Sequence, residues 1–142
     1  MSQHCALVDA GPLIAYYNSK DKHHKQICDY FKQCTFQLIT VDTCITEVMY
    51  ALRVNYAVQT SFLLDIHDGI WQRETLKQDD FARIAELNNK YKDIPGDFAD
   101  LSLVVISERL DIPKIVTLDS DFDIYRRYKD GYFERVFYPK AL

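Results

Sequence analysis

The 142 residues suffice for one domain around a single core, and a chain of this length buries roughly two thirds of the surface it exposes when unfolded. With 48% hydrophobic and 27% charged residues, and with 10 Tyr and 8 Phe, the composition excludes a disordered or low-complexity protein. A formal charge of -4 excludes a generally basic nucleic-acid coat, but an acidic site would itself supply several of those charges, so RNA stays open as a ligand.

In chain order, the apolar run 5–8 reads as a short buried strand that stops at the breakers Asp9-Ala10-Gly11-Pro12. Pro12 suits the first turn of a helix continuing through Leu13, Ile14, Tyr16 and Tyr17. The polar stretch 18–24 is a loop, and Ile27, Tyr30 and Phe31 recur at helical spacing after it. A strand is expected over 36–39. Residues 40–43 open a helix with Ile45, Val48, Met49 and Leu52 on one face, and a further helix covers 58–66. A short strand over 70–73 precedes an amphipathic helix over 77–91, and Pro95-Gly96 ends the loop after it. A helix over 98–109, a buried strand over 115–117 and a last strand over 135–138 complete the chain. Strands that alternate with helices favour parallel pairing with helices on both sheet faces, because each parallel connection needs a crossover.

Cys5, Cys28, Cys34 and Cys44 form no C-x-x-C pair, and the chain does not open on a basic region followed by an apolar run. They read as buried small hydrophobes in a reducing cytoplasm, without zinc and without a disulfide framework. No apolar run is long enough to span a bilayer. His4, His23, His24 and His67 lack ligand spacing and read as surface or structural residues.

The informative residues are acids at element boundaries. Asp9 follows the first strand, where the bland reading is an N-cap accepting a backbone N–H. In an open parallel sheet, however, the carboxyl ends of the strands form the ligand crevice, and Asp119 stands at the same end of the strand over 115–117. Glu47 lies within a helix and is flanked at three-, four- and seven-residue spacing by Cys44, Ala51 and Val54, so its face reads as apolar and its charge as needing a partner. Asp97 and Asp100 are three apart in a first helical turn. A capping arrangement explains them, as does a polar cleft facing the opening of an otherwise buried helix. Asp119, Asp121 and Asp123 alternate, but they lack the later glycine and glutamate of a calcium loop. Asp119 is the best ligand of the three, Asp121 an outer member, and Asp123 solvent-facing. Carboxylates gathered in one cleft repel unless a hard divalent cation sits among them.

The runs Leu7-Val8-Asp9-Ala10-Gly11-Pro12-Leu13, Ile45-Thr46-Glu47-Val48, Asp97-Phe98-Ala99-Asp100-Leu101-Ser102-Leu103 and Val116-Thr117-Leu118-Asp119-Ser120-Asp121-Phe122, in this order, resemble the PIN-domain family and look most like its bacterial VapC-type toxin ribonucleases. The resemblance covers nearly the whole chain. It implies a single PIN-like α/β domain over 1–142, with a central parallel sheet of about four to five strands flanked by helices. It also implies Mg2+ or Mn2+ and endonucleolytic cleavage of RNA. By position, Asp9, Glu47 and Asp100 match the family's central acids, Asp119 the common fourth, and Asp97 an additional acid of some members, so that Asp9, Asp97, Asp100 and Asp119 are the expected metal ligands. Thr46 and Thr117 match small hydroxyl positions, with Asp121 as an outer acid. Gly11 departs from the pattern, since many members carry Ser or Thr there, and this leaves the hydrogen bonding of Asp9 open.

Candidate RNA-contacting cations are Lys20, Lys22, Lys25, Arg53, Arg126, Arg127 and Lys129. Tyr125, Tyr128 and Tyr132 read as core packing in preference to base stacking. The resemblance to toxins further implies a small antitoxin protein and a homodimer. The rival reading is a non-catalytic RNA- or metal-binding regulatory module. A haloacid-dehalogenase-like phosphatase would need an aspartate where Gly11 stands, and a response-regulator receiver would need neighbouring acids early in the chain.

Overall fold

The computed structural model describes residues 4–94 and 96–141. Pro95, one of the expected loop breakers, lies outside them. Strands β1 (Cys5–Val8), β2 (Gln37–Val41), β3 (Trp71–Glu74), β4 (Lys114–Val116) and β7 (Glu134–Arg135) form one sheet in the order β3-β2-β1-β4-β7, and every pair is parallel. Helices α1 (Ala10–Tyr17), α2 (His24–Gln33), α3 (Asp42–Ala51), α4 (Tyr56–His67), α5 (Asp80–Lys90) and α6 (Phe98–Leu110) flank it. A two-stranded antiparallel ribbon, β5 (Arg126–Arg127) with β6 (Gly131–Tyr132), was not expected. Two residues per strand are too few for a period-2 pattern to register, and the turn is made by Lys129 and Asp130 at positive φ instead of by glycine.

The sheet centre is dry because its strands are apolar on both faces, as a doubly covered parallel sheet requires. Ala6, Leu7, Val8, Ile115 and Val116 are fully buried, and each large side chain among them stabilises the fold by about 1.5–3 kcal/mol. Helix α6 is buried continuously from Ala99 to Ser107, which explains why its apolar residues are not confined to one stripe and why Ser102 and Ser107 bond back to its own carbonyls.

Several boundaries differ from expectation. The second strand runs over 37–41 because Thr40 and Val41 still pair with Arg73 and Glu74 before the chain turns helical. Helix α5 begins at Asp80, not at 77, because the Asp80 carboxylate accepts the Lys77 N–H and closes a turn ahead of the helix. The last strand is only Glu134–Arg135, limited by the short partner β4. Of the cysteines, Cys44 alone is buried, whereas Cys5, Cys28 and Cys34 are half-buried.

The strand order sets the position of the site. From β1 the chain moves outward to β2 and β3, then returns to place β4 on the other side of β1. The connections leaving the carboxyl ends of β1 and β4 therefore diverge and open a crevice between them.

Candidate functional site

Asp9 is the residue after β1 and the N-cap of α1, with its carboxylate accepting the Ala10 N–H at 2.8 Å. Its other oxygen, Oδ2, accepts the Thr117 hydroxyl at 2.9 Å, and the Cys44 thiol points at Oδ1 from 3.8 Å. The same Thr117 oxygen accepts the Asp119 N–H at 2.9 Å. One fully buried hydroxyl thus ties the end of β1 to the end of β4. A Cβ at Gly11 would lie 3.5 Å from the Leu118 side chain, an ordinary packing distance, so Gly11 is not demanded by space at this point.

Asp97 caps α6, its Oδ1 accepting the Asp100 N–H at 2.9 Å, and this points the first turn of a buried helix into the crevice. Asp100 is 6% exposed and its Oδ2 accepts the Tyr125 hydroxyl at 3.2 Å. Asp119 opens a 3-10 turn over Ser120–Asp123 by accepting the Asp121 N–H at 2.8 Å. Three elements distant in sequence thereby converge, and carboxylate oxygens of Asp9, Asp100 and Asp119 lie within 4.8 Å of one another.

That convergence carries an electrostatic cost. Burial above all, and then the charges of Asp119 and Asp97, push the Asp9 carboxyl up from 3.8 to about 6, against the hydrogen bonds from Thr117 and Ala10 that favour its charged form. Asp100 is pushed to about 8 by burial and by Asp9, Asp97 and Asp119, with the Tyr125 bond opposing. Glu47 stands at the exposed rim, where partial burial of its carboxyl, then Asp97 and Asp9, push it to about 7. No ion pair among the described residues joins a basic side chain to any of these acids. A donor set of hard oxygens, partly buried and uncompensated by protein cations, fits a hard divalent ion.

The expected residues therefore divide. Asp9, Asp100 and Asp119 meet; Asp97 and Glu47 touch the rim, within electrostatic reach of Asp9 and of each other. Glu47 is not on a buried face, because Val54, one of the neighbours that made that face look apolar, is itself 91% exposed. Asp121 lies beside Asp119 but outside the trio. Thr117 belongs to the site, whereas Thr46 is exposed and donates to the Asp42 carbonyl one turn back.

Lys20, Lys22 and Lys129 are exposed, and Lys25 is exposed but pairs with Asp29. Arg53 folds over the Tyr50 ring at 3.9 Å. Arg126 and Arg127 are half-buried and tied to the fold by hydrogen bonds. Arg126 donates to the carbonyls of Asp123, Ile124 and Tyr125, and Arg127 to Ser107 and Asp111. Of the three tyrosines only Tyr125 is core; Tyr128 and Tyr132 are exposed and covered by Arg83 and Arg126. Tyr125 and Cys44 are contacts of the acids that sequence spacing could not reveal, since both come from apolar positions whose partners are distant in the chain.

The PIN domain family matches residues 6–128. Ribonuclease VapC26 of Mycobacterium tuberculosis is 24% identical over 115 residues, spanning 80% of this chain and 85% of that protein. The crystal structure of Mycobacterium tuberculosis VapC20, described as a sarcin-ricin loop cleaving toxin, superposes with a TM-score of 0.76 at 14% identity, covering 84% of this chain and 93% of that one.

Proposed function

The chain belongs to the PIN-domain family, and from that premise we propose that it is a metal-dependent endoribonuclease, the toxin of a toxin–antitoxin pair, built as a single nuclease domain over 1–142. The observation that carries this reading is the meeting of three carboxylates at the point where the strand order reverses. Acids placed only to cap helices would have no reason to share one crevice at such a cost in charge.

Asp9, Asp100 and Asp119 would hold Mg2+ or Mn2+, with Asp97 as an additional acid at the edge. A divalent ion there supplies charge neutralisation for the scissile phosphate and activation of the attacking water. The remaining work falls to the chain. Thr117 and the Ala10 N–H hold the Asp9 carboxylate charged and oriented. A Glu47 carboxyl near 7 suits it to accept a proton from the attacking water at neutral pH. Asp121, bonded through its N–H to Asp119, keeps that side chain in place.

RNA would approach over exposed Lys20, Lys22 and Lys129, with Lys25 and Arg53 further contributors once their present partners release them. The toxin reading brings an antitoxin protein, a homodimer and a cytoplasmic setting; among the described residues no helix is long and apolar enough to cross a membrane. The decisive experiment is incubation of total cellular RNA with wild type, Asp9→Asn and Asp100→Asn, in Mg2+, in Mn2+ and in EDTA, with the cut ends mapped. Discrete cuts by wild type alone, and only with a cation, are expected. Cutting by either folded variant at the wild-type rate removes the proposed site.

A further inference from the structure

We propose that Tyr125 is a positioning residue for the cation site, its hydroxyl locking the Asp100 carboxylate in the orientation in which it meets Asp9 and Asp119, with Gly96 as the wall that holds that hydroxyl in place. The inference rests on the metal reading above.

Tyr125 is fully buried, and a buried tyrosine needs a partner for its O–H. Among the described residues its acceptor is Asp100 Oδ2. Rotation of an aspartate carboxylate about its last bond is soft, so a single well-placed donor decides which way the two oxygens face. With Oδ2 occupied, no described donor reaches Oδ1, which stays available to a cation.

The tyrosine in turn is held on every side. Tyr91 and Phe122 meet its ring edge-on at 5.1 and 5.2 Å, and the Tyr91 hydroxyl accepts the N–H of Arg126, the next residue along. Gly96 closes the remaining side. A Cβ built there would collide with the Tyr125 hydroxyl oxygen and lie 3.1 Å from the ring carbon that bears it. Its φ is not positive, so the need for glycine at 96 is one of space and not of backbone conformation. The residue just before the Asp97 cap is thus bare so that a hydroxyl from the far end of the chain can reach Asp100. A tyrosine serving only to fill the core would need its ring but not its oxygen.

The test is the Mn2+ dissociation constant of the purified protein, read by electron paramagnetic resonance of free Mn2+, for wild type, Tyr125→Phe, Gly96→Ala and the double variant. Partners of metal ligands typically contribute about 10- to 100-fold in affinity. Tyr125→Phe should weaken Mn2+ binding about 10-fold while its metal-free melting temperature and far-ultraviolet circular dichroism stay near wild type, because the ring contacts remain. Gly96→Ala should weaken binding in the wild-type background and weaken it less in the Tyr125→Phe background, since its severest collision is with the hydroxyl oxygen that Phe lacks and only the ring-carbon contact is left. Unchanged affinity in a folded Tyr125→Phe protein, or fully additive losses, overturns the inference and leaves the metal reading standing. Absence of Mn2+ binding by wild type itself overturns both. If Gly96→Ala fails to fold, Tyr125→Phe alone still decides.

Discussion

Replacing Asp100 with asparagine should abolish cleavage and at the same time stabilise the metal-free protein, increasingly so as pH rises. The Asp100 carboxyl is pushed from 3.8 to about 8 by burial and by three neighbouring acids, so between those values the folded chain holds a proton that the unfolded chain has lost. Stability from this group is complete below pH 4, falls as pH rises, and is fully lost above pH 8. Asparagine keeps the acceptor for Tyr125 and carries no charge, so its advantage over aspartate grows across that window and then levels off. At about 1.4 kcal/mol per pH unit the ceiling is about 6 kcal/mol, and water penetration and relaxation around the crevice reduce a working figure to about 2–3 kcal/mol between pH 5 and pH 8.5. For a chain of this length that is a gain of about 7–10 °C in melting temperature. The assay is thermal unfolding followed by circular dichroism in EDTA at pH 5, 7 and 8.5. If Asp100 merely favours the positive end of a helix, asparagine should cost about 0.3–1 kcal/mol at pH 8.5. An asparagine variant no more stable than wild type at that pH refutes the reasoning.

Other outcomes follow from the same geometry. Mn2+ at about 100 times its dissociation constant should add about 2.7 kcal/mol of stability to wild type and flatten the loss between pH 4 and 8, because the cation favours the charged carboxylates; unfolding curves with and without it check this. Thr117→Val removes the donor to Asp9 and the acceptor for Asp119 at a fully buried position, and should cost about 2–3 kcal/mol in urea unfolding together with most of the cleavage rate. Arg127→Ala should destabilise the fold by about 1–3 kcal/mol through its lost bonds to Ser107, whereas Lys129→Ala should leave unfolding unchanged and reduce the salt dependence of RNA binding.

Much of this was readable in the order of residues because it depends on local chemistry. The run 5–8 is apolar throughout and ends at breakers, so both the strand and the place of Asp9 at its carboxyl end follow from short-range pattern. The apolar residues Leu101, Leu103, Val104, Val105 and Ile106 of α6 mark a buried helix, and its buried opening turn implied something polar beyond Asp100. The ribbon of β5 and β6 was illegible, since neither strand has the length in which a period can appear, whereas the equally short β7 lies at the start of the apolar run that marked it. The face of Glu47 reads as apolar from helical spacing but Glu47 itself is exposed in the structure, because spacing lists a residue's neighbours without saying whether anything packs over them.

Which acids the crevice unites, and what holds them, depended on packing between segments a hundred residues apart. Nothing in the spacing of Thr117 says that its hydroxyl will bridge Asp9 and Asp119, and nothing in Gly96 says that it must clear room for Tyr125. The same holds for Arg126 and Arg127, whose hydrogen bonds to carbonyls and to Ser107 no local pattern announces. Periodicity is a property of one segment and survives without its neighbours. A contact between two segments exists only once the strand order has set them side by side.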